Sequence, residues 1–441
     1  AEPMLQLMKT PANIMEDAAL YMKLQCIGLP LVALYNHVSA MLRALGDSKS
    51  PLYFLIIPDF PHFQHPLLLI LQITFYIFIY NFLKGVIHIM KIICSKSTLL
   101  KGVNIVAKAV PSKTTMSILE CILIDATTGS IKLTANDMEL GIETIIEGDV
   151  LEKGLIALDA KIFSEIVRKL PDNDVIIETD ASLQTTITCE KAKFHICGKS
   201  GEDFSYLPYV EREDYIELSQ FTLKEVIRQT IFSIADNENN KLMTGELFEV
   251  ADGMLKVVSL DGHRISIRKV ELKENYPAKK VVVPGKTLIE VSKILSGDTD
   301  KFVNIFFTPK HIVFEFDNTI VLSRLIEGEY YKINQMLSGD YETKLTINRK
   351  MFLECIDRAT LLIKESEKKP IILGITESAM ELRVNSAIGS MNEDIDIDKN
   401  GKDLMIGFNP KFLIDALRVV DLEEIDMYML NPKSPCIIRD E

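Results

Sequence analysis

From Met90 onward the chain repeats one building block three times, and this repetition constrains the fold more than any other feature of the sequence. The segments LDAKIFSEIVRKLP, VPGKTLIEVSKILSG and FNPKFLIDALRVVD align, so that Lys161, Lys286 and Lys411 occupy one position. Both steps between these lysines are 125 residues long. A period of this length is that of whole domains, because the units of solenoid proteins are much shorter. The sequence therefore predicts three related domains.

Each copy combines two amphipathic helices with alternating segments typical of β-strands. The strands predicted after the second helices are DVIIET, FVNIFFT and EIDMYML. The first helices are TLLKGVNIVAKAV from Thr98, FTLKEVIRQTIFSIA from Phe221 and NRKMFLECIDRATLLI from Asn348. Few helices and many antiparallel strands indicate the α+β class. The second helices are expected to begin with Asp159 and Asn409 as N-caps and with Pro284 and Pro410 in the first turn.

The second helices also share a charge pattern, in which two basic residues seven positions apart lie on one helix face. One interpretation is a basic lining for the phosphate backbone of DNA, which carries no sequence information. The other is a solvated face stabilised by acid–base pairs at i,i+3 and i,i+4, and on one helix alone it would be the better interpretation. The first helices add Lys101, Lys108, Lys224 and Arg228. The recurring triplets are Lys161, Glu165 and Arg168; Lys286, Glu290 and Lys293; and Lys411, Asp415 and Arg418.

The formal net charge of -13 at first argues against a nucleic-acid partner. Residues 1–89 hold equal numbers of basic and acidic residues, so the acidic excess lies entirely in residues 90–441. The seven cysteines show no metal-ligand spacing and no CxxC pair, which indicates buried thiols in a reducing compartment. The shift in charge and composition near residue 90 suggests a boundary there.

No catalytic motif competes with a binding function, since the sequence has no phosphate-binding loop, HExxH or GxSxG pattern. His195, His263 and His311 are far apart along the chain. Asp137 and Asp261 follow strands, where Asp more often closes a turn than binds a metal. An acidic hydrolase that uses these carboxylates is nevertheless carried as an alternative, and no metal or other cofactor is expected.

The amino-terminal segment differs in kind from the rest. Its motif LRALGDSKSPLYF, with Pro30, Tyr35 and Asn36, resembles transporters of the multidrug and toxic compound extrusion family over residues 4–57, and we assign 1–57 to a transporter-like fragment. Residues 58–89 form an apolar junction in which 66–82 are uncharged, the lower length limit for a membrane span. We favour a junction foreign to the following domains, with translation starting at Met90, over a membrane anchor.

From Met90 on, the chain resembles the bacterial DNA polymerase III beta subunit. The motifs that carry this resemblance are MKIICSKSTLLKGV, LTANDMELGIE, SLDGHRISI and GFNPKFLIDAL. The resemblance implies clamp domains at 90–212, 213–336 and 337–441, the last without its final strand. It also implies a cytoplasmic homodimer, a ring of six domains with helices lining the hole and antiparallel sheets outside. Such a ring encircles double-stranded DNA and tethers the polymerase catalytic subunit and the clamp loader through short peptide motifs, without catalysis of its own.

The resemblance also implies site residues. The family often has Pro at the position of Tyr331 and sometimes Arg at that of Gln335, which changes the expected peptide preference. The chain ends where the family continues with one more strand, and we expect weaker peptide binding for this reason. The implied peptide pocket comprises Met243, Leu260, Gly262, His263, Arg264, Ile265, Tyr331, Gln335, Met336, Ser434 and Cys436, with Tyr330 at its edge. The implied dimer interface comprises Phe194, Ile196, Leu361 and Leu362. Lys113 and Lys161 are the DNA-facing residues that the resemblance implies. Together with the basic residues of the helices, the predicted DNA-binding set is Lys101, Lys108, Lys113, Lys161, Arg168, Lys224, Arg228, Lys286, Lys293, Lys411 and Arg418.

The alternative function is that of a membrane multidrug transporter fragment fused to a soluble domain. It would give the chain a membrane partner only if the amino-terminal segment is part of the native protein. One apolar span and part of a transporter cannot form a substrate path, because such sites need several helices facing one another.

Overall fold

Three successive repeats of two helices and a set of antiparallel strands make up the described part of the chain. The structure is a computed structural model that describes residues 88–212, 215–236, 239–337, 339–364 and 369–439. The transporter-like fragment and the apolar stretch at 66–82 lie outside these residues. No helix within the described ranges is long and apolar enough to cross a membrane. The α+β class and the three-repeat organisation are confirmed.

Each repeat contributes one helix near its start and one near its middle. A polar residue caps every first helix: Ser95, Ser219 and Asn348 accept the backbone N–H three residues later at 3.2, 3.0 and 3.0 Å. Such caps satisfy backbone donors that have no partner within the helix. The helices are α1 (Lys96–Val106), α2 (Ala160–Lys169), α3 (Gln220–Thr230), α4 (Gly285–Ile294), α5 (Arg349–Thr360) and α6 (Pro410–Val419).

The second helices begin as predicted in two of the three repeats. Asp159 accepts a hydrogen bond from the N–H of Ile162 at 2.8 Å, and Asn409 caps α6 with Pro410 in its first turn. Pro284 does not lie in the first turn of α4, because it is itself the N-cap and the helix begins at Gly285. Proline has no side-chain acceptor, so α4 starts without a side-chain cap.

Twenty-six strands are present in the described residues, and the DVIIET, FVNIFFT and EIDMYML segments are among them. In the first repeat they are β1 (His88–Ser95), β2 (Cys121–Asp125), β3 (Ile131–Asn136), β4 (Leu140–Ile146), β5 (Asp149–Glu152), β6 (Leu155–Asp159), β7 (Asp174–Asp180), β8 (Gln184–Cys189), β9 (Ala192–Cys197) and β10 (Lys199–Ser200). In the second they are β11 (Tyr215–Ser219), β12 (Gly245–Ala251), β13 (Met254–Leu260), β14 (Ile265–Glu271), β15 (Lys279–Pro284), β16 (Phe302–Phe307), β17 (His311–Phe316) and β18 (Thr319–Arg324). In the third they are β19 (Thr343–Asn348), β20 (Ile371–Ile375), β21 (Ala379–Asn385), β22 (Ser390–Asp396), β23 (Asp398–Gly401), β24 (Leu404–Phe408), β25 (Glu424–Met429) and β26 (Ile437–Arg439).

One sheet continues from the first repeat into the second. Its order is β10-β6-β2-β3-β4-β18-β17-β16-β11, and the two repeats meet where β4 pairs with β18. The hydroxyls of Thr144 and Thr319 lie 2.8 Å apart in this junction and are buried. The other sheets have the orders β5-β1-β7-β8-β9, β14-β13-β12-β15, β23-β19-β25-β26 and β22-β21-β20-β24. The strand β9 therefore ends one sheet, and β22 ends another.

Equivalent backbone contacts recur in all three repeats. The N–H of the first residue of each first helix donates to the carbonyl that precedes β7, β16 or β25. These bonds are Lys96 to Asn173 at 3.0 Å, Gln220 to Lys301 at 2.7 Å and Arg349 to Glu423 at 2.9 Å. The chain thus repeats its local geometry as well as its sequence.

The helices pack on the inner faces of the sheets, and the connections between repeats cover outer faces. One core extends through the first two repeats and a second one fills the third. On the outside, Phe204 packs against Leu123 and Ala157. Tyr330 packs in the same way against Leu247 and Val282. Their aromatic rings shield apolar sheet surface that water would otherwise contact.

Candidate nucleic-acid interface and protein-contact sites

The lysines shared by the second helices occupy equivalent places in the structure. Lys161, Lys286 and Lys411 are each the second residue of a ten-residue helix, and all three are exposed. Within the described ranges, Lys161 and Lys411 have no hydrogen-bond or ion-pair partner for their ammonium groups. Lys286 donates to Asp137 at 2.6 Å, which links the second repeat to the first. Two of the three charges are therefore available to an anionic ligand.

The second basic position of these helices is partly neutralised by the acidic residue between. Arg168 pairs with Glu165, and Lys293 pairs with Glu290, both at 2.8 Å and both three residues apart. The helix α6 departs from this pattern because Asp415 pairs with Arg264 of the second repeat. Arg418 instead lies 3.8 Å from Asp357. The structure thus contains features of both interpretations: acid–base pairs on the helix surface, and basic residues that stay without a partner. Exposed pairs of this kind contribute little stability.

The basic residues of the first helices do not share one position. Aligned on their caps, Lys224 of α3 corresponds to Leu100 of α1. The Lys224 ammonium donates to the Leu295 carbonyl at 3.2 Å, so it also joins α3 to the end of α4. The lysines at 101, 108 and 113 are exposed and lack partners in the part of the chain that the structure describes.

Arg228 connects the second repeat with the third. Its guanidinium donates to Glu225, to the Val419 carbonyl at 3.1 Å, and to both carboxylate oxygens of Asp421 at 2.9 Å. The hydrogen bond with Glu225, more than any other contact, raises the pKa of Arg228. Arg228 was predicted from the sequence to contact DNA. In the structure its guanidinium instead contacts Val419 and Asp421 of the third repeat.

Several of the expected pocket residues gather in one apolar cluster. Met243, Leu260, Ile265 and Tyr331 belong to the cluster around Tyr330 on the outer face of the second repeat. Leu260 and Ile265 are brought together by the turn between β13 and β14. Gly262 lies in this turn with a φ of 90°, which suits glycine.

Asp261 closes that turn, because its carboxylate accepts the N–H groups of His263 at 2.8 Å and Arg264 at 3.0 Å. Asp137 closes the corresponding turn of the first repeat by accepting the N–H groups of Glu139 and Leu140. The turn role that the sequence predicted for both aspartates is confirmed. The described residues contain no group of three or more His, Cys, Asp or Glu side chains placed to hold a metal ion.

Arg264 is held between the second and third repeats. Its guanidinium lies 5.3 Å from the ring centroid of Phe232 and 4.6 Å from that of Phe412. It donates to Asp261 at 3.0 Å and to Asp415 at 2.7 Å, and its side chain is only 16% exposed. Charge-assisted hydrogen bonds and aromatic stacking both suit the planar guanidinium. Arg264 is therefore a contact between repeats.

The remaining expected pocket residues lie around this cluster. The His263 ring stacks on Phe412 at a centroid distance of 5.7 Å. Gln335 ends a short 3-10 turn, and Met336 follows it with its side chain exposed. Ser434 lines a separate cavity of about 110 Å³, which also borders Leu337 of the cluster.

Cys436 does not join the cluster of the second repeat. It packs against the core of the third repeat, and burial raises the pKa of its thiol to about 12. The structure thus divides the expected pocket between two neighbouring sites.

A buried carboxyl lies beneath the apolar cluster. Glu246 is fully buried, and its Oε2 contacts Thr230 Oγ1 at 3.1 Å. The Thr230 hydroxyl also contacts the Val226 carbonyl at 2.7 Å, and its single proton satisfies both contacts only when the carboxyl is protonated. Burial raises the pKa of Glu246 from its ordinary 4.5 to about 8. The folded chain therefore keeps this group neutral at pH 7.

We expect Glu246→Gln to reduce the loss of stability between pH 5.5 and 8.5. The unfolded carboxyl ionises near its ordinary pKa while the folded one does not. The contribution of Glu246 to stability is thus fully present below about pH 4.5 and is lost as pH rises towards 8, by about 1.4 kcal/mol per pH unit. Thermal unfolding of both proteins at the two pH values measures this. If the melting temperatures of the native protein and the variant differed by the same amount at both pH values, the prediction would be wrong.

A groove between α2 and the edge strand β9 contains one of the expected interface residues. It has a volume of about 590 Å³, and Ile162 and Phe194 are exposed within it. The expected partner residue Leu361 follows α5 and is 79% exposed. Ile196 and Leu362 are half-buried and pack against the cores of their own repeats.

Ile162 and Ile166 also line this groove, and neither was predicted as a contact residue. A signal was present, because isoleucine next to Lys161 interrupts the solvent side of an amphipathic helix. Large apolar side chains exposed in a concave surface typically mark a contact site. The groove therefore has the properties expected of one half of an apolar interface.

Comparisons with known proteins cover almost all of the sequence. The DNA polymerase III beta subunit families match in three parts: the N-terminal domain at residues 90–208, the central domain at 217–332 and the C-terminal domain at 334–441. The MatE family matches residues 1–58. These matches confirm both resemblances derived from the sequence.

Individual relatives agree with the family matches. The beta sliding clamp of Staphylococcus epidermidis is 33% identical over 360 residues, which span 79% of this chain and 95% of the relative. A crystal structure of a DNA polymerase III beta subunit from Eubacterium rectale is 73% identical, covers 80% of this chain and 96% of its own, and has a TM-score of 0.78. The Bacillus subtilis DNA polymerase sliding clamp is 34% identical, with coverages of 80% and 95% and a TM-score of 0.77.

Proposed function

The chain belongs to the family of bacterial DNA polymerase III beta subunits and is a DNA sliding clamp, and from this premise we propose which of its surfaces close the ring, contact DNA and bind partners. As a processivity factor it forms a homodimer around duplex DNA and tethers the polymerase, without catalysis of its own. The observation that carries the assignment of surfaces is the equivalence of the three repeats. The transporter alternative is not supported, because its match ends at residue 58.

We place the ring closure at the free edge strands β9 and β22. Within the chain, β4 pairs with β18, and Ile142 lies opposite Val321. Counted from the equivalent hairpin turns, β22 corresponds to β4 and β9 corresponds to β18. The same register then sets Phe194 opposite Met391 of the partner subunit. A second pair of edges closes the ring by symmetry, as a head-to-tail dimer requires.

The side-chain contact at this interface also has a template within the chain. Leu361 occupies in the third repeat the position of Phe232, and Ile162 occupies in the first that of Phe412. Phe232 and Phe412 flank one guanidinium between the second and third repeats. We therefore propose that Leu361 enters the groove between α2 and β9 of the partner, with Ile196 and Leu362 supporting it from below.

The DNA-facing surface is proposed to be the helix layer. Among the lysines shared by the second helices, Lys161 and Lys411 are the strongest candidates because their charges have no partner in the described residues. Lys286 can exchange its contact with Asp137 for a phosphate, whereas Arg228 is assigned to the contact between repeats. The other proposed phosphate contacts are Lys101, Lys108, Lys113, Arg168, Lys224, Lys293 and Arg418.

The partner-peptide pocket is proposed at the apolar cluster of the second repeat. Exposed apolar surface with a few polar anchors suits an extended peptide. Its proposed lining is Met243, Leu260, Gly262, His263, Ile265, Tyr331, Gln335 and Met336, continued by Ser434. Arg264 supports it from the contact with the third repeat, and Cys436 belongs to the adjoining site on the third repeat. We also propose domain limits at residues 212/213 and 336/337 and a location in the cytoplasm.

A ring held by topology is expected to remain on closed DNA and to leave DNA with free ends. The full chain is loaded by a clamp loader onto a nicked plasmid, half of which is then cut once with a restriction enzyme. Gel filtration at 0.3 M NaCl is expected to show clamp on the circular plasmid and less than a tenth of it on the linear one. The same linear plasmid with both ends blocked by a bound protein is the control. Equal retention on open linear DNA would contradict a ring.

A further inference from the structure

The outer face of the third repeat differs from its two counterparts. In the first repeat this face is covered by Phe204, which is 3% exposed, and in the second by Tyr330, which is 2% exposed. Both residues belong to connections that follow β10 or β18. In the third repeat, no segment of the described ranges covers the face formed by β22, β21, β20 and β24.

Strand register identifies the uncovered residues. Phe204 rests on the cross-strand pair of Leu123 and Ala157, and Tyr330 rests on the equivalent pair in the second repeat. The corresponding pair in the third repeat is Ile372 and Gly407. Gly407 has no side chain where the other repeats have alanine or valine, and the side chain of Ile372 extends over this position, with its Cδ1 3.2 Å from where a Cβ would lie. Ile372 and Gly407 thus form a flat apolar floor on which an aromatic ring can rest.

The surroundings of Gly407 suit an aromatic side chain. Met405 is 60% exposed on the same strand, and Ile372 is half-buried beside it. Arg383 lies opposite Ile372 on β21 and has an exposed guanidinium that pairs with Glu381. Methionine sulfur and guanidinium groups both make favourable contacts with aromatic rings.

The two covering segments share a sequence pattern. Each has an aromatic residue followed three positions later by an aliphatic one, Phe204 with Leu207 and Tyr330 with Ile333. Leu207 packs over Gly141 at the start of β4. The equivalent residue of β22 is the exposed Ser390, so an aliphatic side chain gains little at this second position.

Charged residues of β22 determine which residues beside the aromatic one would be favourable in a bound segment. The strand β22 carries the exposed carboxylates Asp394 and Asp396 on the same side as the uncovered pair. Basic groups beside the aromatic residue would meet these carboxylates, whereas acidic groups would be repelled. A complementary segment therefore differs from the covering segments of this chain in its charge.

We propose that this outer face of the third repeat is a docking site for an extended segment of a partner protein that carries an aromatic residue flanked by lysine or arginine. The aromatic ring lies on Ile372 and Gly407, beside Met405 and Arg383. The basic flanks lie along β22. The site is separate from the apolar cluster of the second repeat, so each subunit of the clamp can hold two segments at once.

Fluorescence polarisation with a fluorescein-labelled peptide, KKFSYLPYVKK, tests this on the full chain. The peptide carries the covering sequence of residues 204–210 with lysine flanks. We expect a Kd on the order of 100 µM, which is about 5 kcal/mol of binding free energy. The peptides KKASYLPYVKK and EEFSYLPYVEE are expected to bind at least fivefold more weakly.

Three variants locate the site. Met405→Glu is expected to weaken binding at least fivefold, and Met351→Glu, an exposed methionine on α5 of the same repeat, to leave it unchanged. Ile265→Glu in the second repeat is also expected to leave it unchanged. The proposal is overturned if Met405→Glu binds like the native chain, if Ile265→Glu abolishes binding, or if 1 mM peptide gives no signal.

Discussion

Leu361→Asp is expected to convert the dimer into monomers. Leu361 is 79% exposed in the single chain and is proposed to enter an apolar groove of the partner, where a carboxylate would lose its hydration without a partner charge. We estimate a cost of about 3 kcal/mol at each contact, as for the stronger positions in protein interfaces. Because a symmetric ring has two such contacts, the total is about 6 kcal/mol, or roughly a 10⁴-fold weaker dimer.

Light scattering during gel filtration measures the outcome. The variant is expected at the chain mass of 49.8 kDa and the native protein at twice that mass. Leu151→Asp is the matched control, because Leu151 is an exposed leucine on β5, at the opposite edge of the sheet that contains β9. A Leu361→Asp protein that stays dimeric at nanomolar concentration would show that the ring closes elsewhere.

The second large effect is expected from reversing the charge of the shared lysines. The dimer would lose six cationic groups if Lys161, Lys286 and Lys411 were all changed to Glu. Each phosphate contact contributes roughly 0.9 to the slope of log K against log salt, so the slope should fall by up to about 5. Affinity for a short fluorescent duplex near 0.1 M salt should drop more than about 100-fold.

A control triple variant separates this effect from net charge. Lys269, Lys280 and Lys310 are exposed on strands or turns of the second repeat, and reversing them changes the net charge by the same amount. Anisotropy titrations of native protein and both variants between 50 and 300 mM NaCl give the slopes. If both variants lose the same slope, the second helices carry no special DNA contact.

The threefold repeat could be predicted from the sequence because equivalent residues keep their spacing even where the residue types differ. The helix positions, two N-caps and the strand after each second helix follow from apolar periodicity and capping chemistry, which depend on near neighbours. The sharing of one sheet by two repeats could not be predicted, since the β4–β18 pairing joins residues about 175 positions apart.

Side-chain partners across repeats were the main gap in the predicted site. Asp415 was expected to pair within its own helix and Arg228 to contact DNA, yet both connect the second repeat with the third. Once the fold brings a distant carboxylate into reach, it competes with a nearby one for the same basic side chain. The spacing of residues in the sequence cannot predict this. Ile162 was missed for a related reason, because its groove is completed by a strand from elsewhere in the repeat.

The junction between the first and second repeats is a continuous sheet. A backbone ladder of five paired positions joins β4 to β18 without interruption, so these two repeats move as a single stiff body. Within the described residues, side chains such as Arg228, Arg264 and Asp415 join the second repeat to the third. A force that bends the subunit is therefore carried across the first of these junctions by the backbone itself, and the nine-stranded sheet stays rigid along its length.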